Sequence, residues 1–186
     1  MKTQQTLLFK ALQLFDHRLK ENNLSCRLVL CGAFAIQLHG YDRGQFTYDI
    51  DSVLPFESEG IKEIIKKIGD DLGLGDSWLN DQAATVALPE GSLDRMIKLN
   101  SFEQIEAFIL SRIDLIKMKV CAFAIRRDQT NKDWEDLVIL HPSKEEIEEG
   151  IDFLIRTSPP PTNALPRILQ EFEQTIQDIR SLYGKN

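Results

Sequence analysis

Hydrophobic positions recur with helical spacing at the start of the chain and then become continuous over a short stretch. The segment from about Gln4 to Glu21 has apolar residues three and four positions apart and predicts an amphipathic helix. The run CRLVLC (Cys26 to Cys31) is apolar and β-prone, which is typical of a buried strand. Gly32 follows at once and opens a short predicted helix, after which Tyr48 to Leu54 predicts a second strand.

Helical spacing dominates the rest of the chain. Strands are predicted at Met96 to Leu99 and at Ile105 to Leu110, whereas the stretch LGLGDSWLND before them reads as irregular or as a helical turn. The predicted helices cover Glu57 to Asp71, Ser111 to Arg127, Asp133 to Leu140, a segment from Ser143, and Leu165 to Tyr183. The helix from Ser143 begins with PSKEEIEE, which has the serine and the glutamate spacing of a capping box. This order favours the α/β (α+β) class, with a small mixed sheet flanked by helices and a helical C-terminal part.

The segment TSPPPTN (Thr157 to Asn163) has the composition of a rigid, proline-rich linker. We therefore expect a main domain over residues 1–156, with its N-terminal helix, and a linker with a final helix over residues 157–186.

Charge and cysteine content restrict the function classes. The 186 residues carry 22 Lys and Arg against 29 Asp and Glu, a net charge of −7, which disfavours broad DNA binding. The three cysteines contain no CxxC pair, so we expect buried free thiols rather than a zinc site or disulfides. No apolar run is long enough to cross a membrane, and we expect a cytoplasmic protein.

The triplet Asp49-Ile50-Asp51 is the first candidate site. On a strand, residues two apart share a face, so the two carboxylates would lie side by side. Such a pair repels unless a cation lies between the two groups, and Mg2+ prefers oxygen ligands. Gly32 lies between the preceding strand and its helix, where backbone N–H groups can bind phosphate. Alone, the triplet is a weak signal, because two solvated acids at a strand end are its commoner explanation.

Lys119 is the second candidate. A helical wheel places it in the middle of an apolar face, with Arg112 and Arg126 on the same stripe, and predicts that Lys117 is solvated. A lysine on an inward face needs an ion partner or a ligand unless its stem reaches the surface. We expect this stripe to concentrate positive charge beside the site.

Asp133 and Asp136 share one side of the following helix and are the expected ion partners of Lys119. Such a pair would fix the helix and present the ammonium to a ligand. Asp133 is equally explained as an acid that interacts with the helix dipole.

The ordered motifs LVLCGAFAIQLHGYDRGQFTYDID, WLND, DLIKMK and RRDQTNKDWEDL resemble bacterial nucleotidyltransferase-like proteins of the polymerase-β-type superfamily. Within it, the chain is similar to the AbiEii-type abortive-infection toxins and the minimal MNT-type enzymes. The resemblance covers about Leu28 to Leu154.

The resemblance implies transfer of a nucleoside monophosphate from an NTP to an acceptor hydroxyl. It implies that Asp49 and Asp51 bind Mg2+ (or Mn2+) and that Gly32 holds the triphosphate. Lys119 would contact phosphate or organise the site. Four further residues have implied roles, in nucleotide binding (Thr47 and Arg43) and in support of the site (Asp133 and Asp136).

Two features depart from the family pattern. Cys31 stands where the family has a second small residue beside the glycine, and a third carboxylate on a later strand is missing. The strand best aligned with that position reads MIKLN, which offers Lys98 and Asn100. The alternative to an active enzyme is therefore a degenerate domain that binds a nucleotide or a protein partner. An unrelated metal-dependent hydrolase fits less well because no histidine cluster accompanies the acids.

The implied partners are an NTP, an acceptor that is tRNA, protein or a small molecule, and a protein partner. A place in a toxin–antitoxin or abortive-infection module is a further implication of the resemblance.

Overall fold

The computed structural model describes residues 2–44, 47–126, 132–160 and 166–183. Its helices are α1 (Lys2–Glu21), α2 (Gly32–Leu38), α3 (Glu59–Leu72), α4 (Ser92–Arg95), α5 (Arg112–Arg126), α6 (Lys132–Leu140), α7 (Lys144–Thr157) and α8 (Pro166–Tyr183). Its strands are β1 (Cys26–Cys31), β2 (Ile50–Ser52), β3 (Leu79–Asn80), β4 (Ile97–Leu99) and β5 (Ile105–Ile109). Helices and a mixed sheet occur together, which confirms the predicted α+β class.

The chain forms two compact units, an N-terminal unit of residues 1–111 and a C-terminal unit of residues 112–186. The domain boundary predicted after residue 156 falls inside the C-terminal unit. The whole sheet lies in the N-terminal unit, and helices α5 to α8 form the C-terminal unit.

The sheet has the order β3-β2-β1-β5-β4. Its centre is β1, which pairs in parallel with β5 and antiparallel with β2. Leu28, Val29 and Leu30 are fully buried, as expected for a strand that is covered on both faces. At the β2 edge, β3 pairs in parallel with β2, and this pairing sets Asn80 opposite Asp51.

Trp78 anchors the start of β3. Its indole is buried and donates from Nε1 to the carbonyl oxygen of Ile65 in α3 over 2.8 Å. Its ring meets Phe15 of α1 edge to face, with 6.5 Å between the ring centroids. The carbonyl oxygen of Trp78 accepts a hydrogen bond from the backbone N–H of Ile50, which ties β3 to β2.

Two predictions about the strands are wrong. The second strand was expected over Tyr48 to Leu54, but β2 contains only Ile50 to Ser52. The ladder with β1 ends at the pair of Cys31 and Asp51, because the chain turns into α2 directly after Cys31 and Asp49 has no residue of β1 opposite it. The stretch predicted as irregular contains β3, whose two residues are too few to give a periodic signal.

In the C-terminal unit, α5 packs against α6 and α7. Gly150 of α7 permits this close approach, because a Cβ atom there would lie 2.8 Å from Cγ2 of Val120. The predicted capping box at the start of α7 is confirmed, since Ser143 and Glu146 exchange both hydrogen bonds. The linker predicted from Thr157 begins inside α7, and residues 161–165 lie outside the described residues.

Among the described residues, no helix combines the length and apolar character that a membrane span requires. The three cysteines are thiols that form no disulfide with one another, and Cys31 and Cys121 are buried as predicted, whereas Cys26 is partly exposed.

Candidate functional site

Asp51 lies on β2, between Cys31 of β1 and Asn80 of β3 in the register of the sheet. Its Oδ1 accepts a hydrogen bond from Nδ2 of Asn80 over 3.1 Å. The carboxylate is partly buried, whereas Ile50 before it is completely buried, as the predicted alternation requires.

Gly32 lies directly against the carboxylate of Asp51. It has a φ of +65°, and a Cβ atom added to it would lie 2.3 Å from Oδ2 of Asp51. A glycine is therefore required twice here, by the left-handed backbone and by the close approach of the carboxylate. The sequence prediction that Gly32 and Asp51 belong to one site agrees with this contact.

Asn80 is the residue of this site that sequence reasoning missed. Its Oδ1 accepts a hydrogen bond from the backbone N–H of Gln82 over 3.2 Å, and its Nδ2 also lies 3.4 Å from the carbonyl oxygen of Ser77. The apolar pair Trp78-Leu79 immediately before a polar residue was the available signal for a short buried strand.

Asp49 and Thr47 form a second hydrogen-bonded pair, in the segment before β2. The hydroxyl of Thr47 is buried and donates to Oδ1 of Asp49 over 2.7 Å. Asp49 itself is exposed to solvent. Arg43 lies partly buried in the loop after α2, and residues 45 and 46 of this loop lie outside the described residues.

Two carboxylates lie just before β2 and on it, those of Asp49 and Asp51, and oxygen donors of this type suit a hard cation that brings further ligands with it. Within the described ranges, no three His, Cys, Asp or Glu side chains are grouped to hold a metal ion. Asp49 and Asp51 offer carboxylate oxygens, and Mg2+ is commonly held by one or two carboxylates together with phosphate and water oxygens. The residues present fit a cation that arrives with a phosphorylated ligand.

The expected position of the third carboxylate is wrong. The MIKLN segment forms β4, which lies at the opposite edge of the sheet and is separated from β2 by β5 and β1. The strand beside Asp51 is β3, where the facing residue is the amide Asn80. The next residue, Asp81, accepts a hydrogen bond from the backbone N–H of Phe56 through Oδ2 over 2.8 Å.

Lys119 lies in the C-terminal unit and makes the predicted ion pairs with both aspartates of α6. Its Nζ lies 2.7 Å from Oδ1 of Asp133 and 2.7 Å from Oδ2 of Asp136, and these side chains are 3% and 1% exposed. Burial lowers the pKa of Lys119, but the two carboxylates outweigh it and hold this pKa above its usual value. The ammonium is therefore charged at neutral pH.

The predicted concentration of positive charge along the Lys119 stripe is wrong. Arg112 is paired with Glu146, at 2.5 Å from Nη1 to Oε1, and donates from Nε to the carbonyl oxygen of Leu140. Arg126 lies 3.6 Å from Asp133. Carboxylates of α6 and α7 thus compensate the cations of α5.

Lys117 also departs from its predicted solvation. Its side chain is only 16% exposed, and its Nζ lies 2.8 Å from a carboxylate oxygen of Glu149 on α7. The helical wheel of α5 alone could not reveal that α7 packs on this side of the helix.

Residues 7–141 match the model of a family described as a nucleotidyltransferase of unknown function (DUF6036). No curated protein and no solved structure matches the chain. The matched segment includes the Gly32, Asp51 and Asn80 cluster as well as Lys119 and its two aspartates.

Proposed function

Because the chain belongs to this family of nucleotidyltransferases of unknown function, we propose that it transfers a nucleoside monophosphate from an NTP to an acceptor hydroxyl. The acceptor oxygen forms a bond to the α-phosphorus, and the bond from that phosphorus to the oxygen bridging to the β-phosphorus breaks. Pyrophosphate leaves with the bonding electron pair, and the hydroxyl proton passes to solvent. The observation that carries the proposal is the Asp51 carboxylate, held against Gly32 by the sheet register and by Asn80.

Asp49 and Asp51 are the residues that would hold Mg2+ or Mn2+. When bound, the cation would neutralise phosphate charge that builds up during an in-line displacement. Thr47 fixes one oxygen of Asp49, which leaves the other oxygen as a ligand. Gly32 lets the Asp51 carboxylate lie against the backbone and has the proposed role of holding the triphosphate, and Arg43 is the proposed cationic contact for that triphosphate.

Lys119 also has a proposed role, which the resemblance of the sequence to nucleotidyltransferases implies. Its ammonium is charged and is fixed between Asp133 and Asp136, which suits a group that organises the site or contacts phosphate. The two aspartates have the supporting role of holding it.

A second candidate function is nucleotide or partner binding without turnover. Asn80 favours this candidate, because an amide stands beside Asp51 where a third carboxylate would complete an acidic cluster. The two candidates share the same cation and nucleotide site and differ in whether label is transferred.

The acceptor is tRNA, a protein or a small molecule in this proposal. A role in a toxin–antitoxin or abortive-infection module, as in the AbiEii-type and MNT-type proteins that the sequence resembles, belongs to the proposal as well. A protein partner and a cytoplasmic location are also part of the proposal.

Transfer of label from each of the four α-labelled NTPs tests the proposal, with Mg2+ and a panel of tRNA, protein and aminoglycoside-like acceptors. We expect Mg2+-dependent transfer that is lost in the double variant Asp49→Ala/Asp51→Ala. The matched control is Asp70→Ala/Asp71→Ala, which removes two exposed acids from α3. Transfer that survives the first double change contradicts the metal site, and NTP binding without transfer to any acceptor supports the second candidate.

A further inference from the structure

The carboxylate of Asp51 has a fixed neighbour at each of its oxygens. Oδ1 accepts from the amide of Asn80, and Oδ2 occupies the place beside Gly32 where a Cβ atom would lie only 2.3 Å away. A carboxylate with both oxygens located loses little freedom when it binds a cation, so its orientation is set before the ligand arrives.

The amide of Asn80 is itself fixed. Its oxygen accepts from the N–H of Gln82, so its NH2 group is the part that faces Asp51. Leu79 and Trp78 before it are buried, which anchors the strand that carries it. An aspartate at position 80 would keep the shape and the bond from Gln82 but could not donate to Asp51 while ionised.

We infer that Asn80 is a positioning residue, which orients the Asp51 carboxylate for the cation. The inference rests on the proposed function, because it concerns the same site. Hydrogen bonds to metal ligands from outside the ligand set fix ligand geometry, and their loss typically lowers metal affinity or activity by about 10–100-fold.

A merely structural role for Asn80 makes a different prediction. If the amide only fills space beside β2, Asn80→Ala leaves cation affinity unchanged in protein that is still folded, because no ligand of the cation loses an orienting hydrogen bond. If it faces Asp51 as inferred, Asn80→Asp places two carboxylates opposite each other, and these repel unless a cation binds between them.

Titration of the full chain with Mn2+ alone separates the two roles. The electron paramagnetic resonance signal of the free ion measures how much Mn2+ remains unbound. We expect Asn80→Ala to bind Mn2+ about tenfold more weakly or worse, and Asn80→Asp to bind it more tightly than the unaltered protein. The gain of Asn80→Asp should disappear in the Asp51→Asn background, because it depends on both carboxylates. Asn100→Asp, which adds the same charge after β4, is the matched control and should leave the affinity unchanged.

The outcomes distinguish this inference from the proposed function. Unaltered protein that does not bind Mn2+ contradicts both. Binding that Asp51→Asn abolishes but that neither change at position 80 alters contradicts the inference alone, as does a gain in Asn80→Asp that persists without Asp51. If Asn80→Ala does not fold by circular dichroism, Asn80→Ser, which keeps a small polar side chain but withdraws the amide from Asp51, takes its place and should also bind Mn2+ more weakly.

Discussion

At the scale of the residue, Gly32 combines a left-handed backbone conformation with close packing against the carboxylate of Asp51. We predict that Gly32→Ala lowers the free energy of unfolding by more than the ~1–2 kcal/mol that a left-handed alanine costs, because the new methyl group also displaces the Asp51 carboxylate. It should also weaken Mn2+ binding. Urea unfolding and Mn2+ titration measure the two effects.

Gly73, at the C-terminal end of α3, supplies the matched control for this prediction. It has the same φ of +65°, but a Cβ atom there would meet nothing within 4 Å. Gly73→Ala should therefore show the backbone strain alone, with Mn2+ binding unchanged. Equal effects of the two substitutions on both measurements would rule out a special contact at Gly32.

The residues of the candidate site were predictable to different degrees. Gly32 and Asp51 were found because each belongs to a local pattern, a glycine after an apolar strand and two acids two positions apart. Asn80 was not found, because its importance arises from a strand partner 29 positions away in the chain. A local pattern does not contain that pairing.

At the scale of the element, the ion cluster of Lys119, Asp133 and Asp136 joins α5 to α6 inside the C-terminal unit. We predict that Lys119→Met lowers the free energy of unfolding by about 3–5 kcal/mol, because it removes the buried ammonium that lies between two buried carboxylates. Lys117→Met should cost about 1 kcal/mol or less, since its partner Glu149 is 56% exposed. Urea unfolding followed by circular dichroism compares the two variants, and similar losses in both would contradict a special role of the cluster.

The helices and strands were predictable where their own residues carry a strong pattern. The bounds of β1 match the prediction, and the capping box of α7 was recognisable from its residues alone. β2 was predicted too long and β3 was missed, because the extent of a short strand is set by the neighbours with which it pairs.

At the scale of the whole molecule, which has a net charge of −7, the positive charges of α5 are placed differently from the prediction. The sequence predicted a stripe of concentrated positive charge along α5. Arg112 and Lys119 are instead neutralised within the C-terminal unit by carboxylates of α6 and α7. Ion pairs between elements depend on packing, which a helical wheel of one element does not include.

Equilibrium dialysis of the four NTPs against the full chain, in Mg2+ and in EDTA, tests the central claim that Asp49 and Asp51 hold a cation together with a triphosphate. The account predicts Mg2+-dependent NTP binding, weakened by about tenfold or more in Asp51→Asn and unchanged in Asp94→Asn, which alters an exposed acid of α4. Binding that is as strong in EDTA as in Mg2+, or that is unaffected by Asp51→Asn, would contradict it.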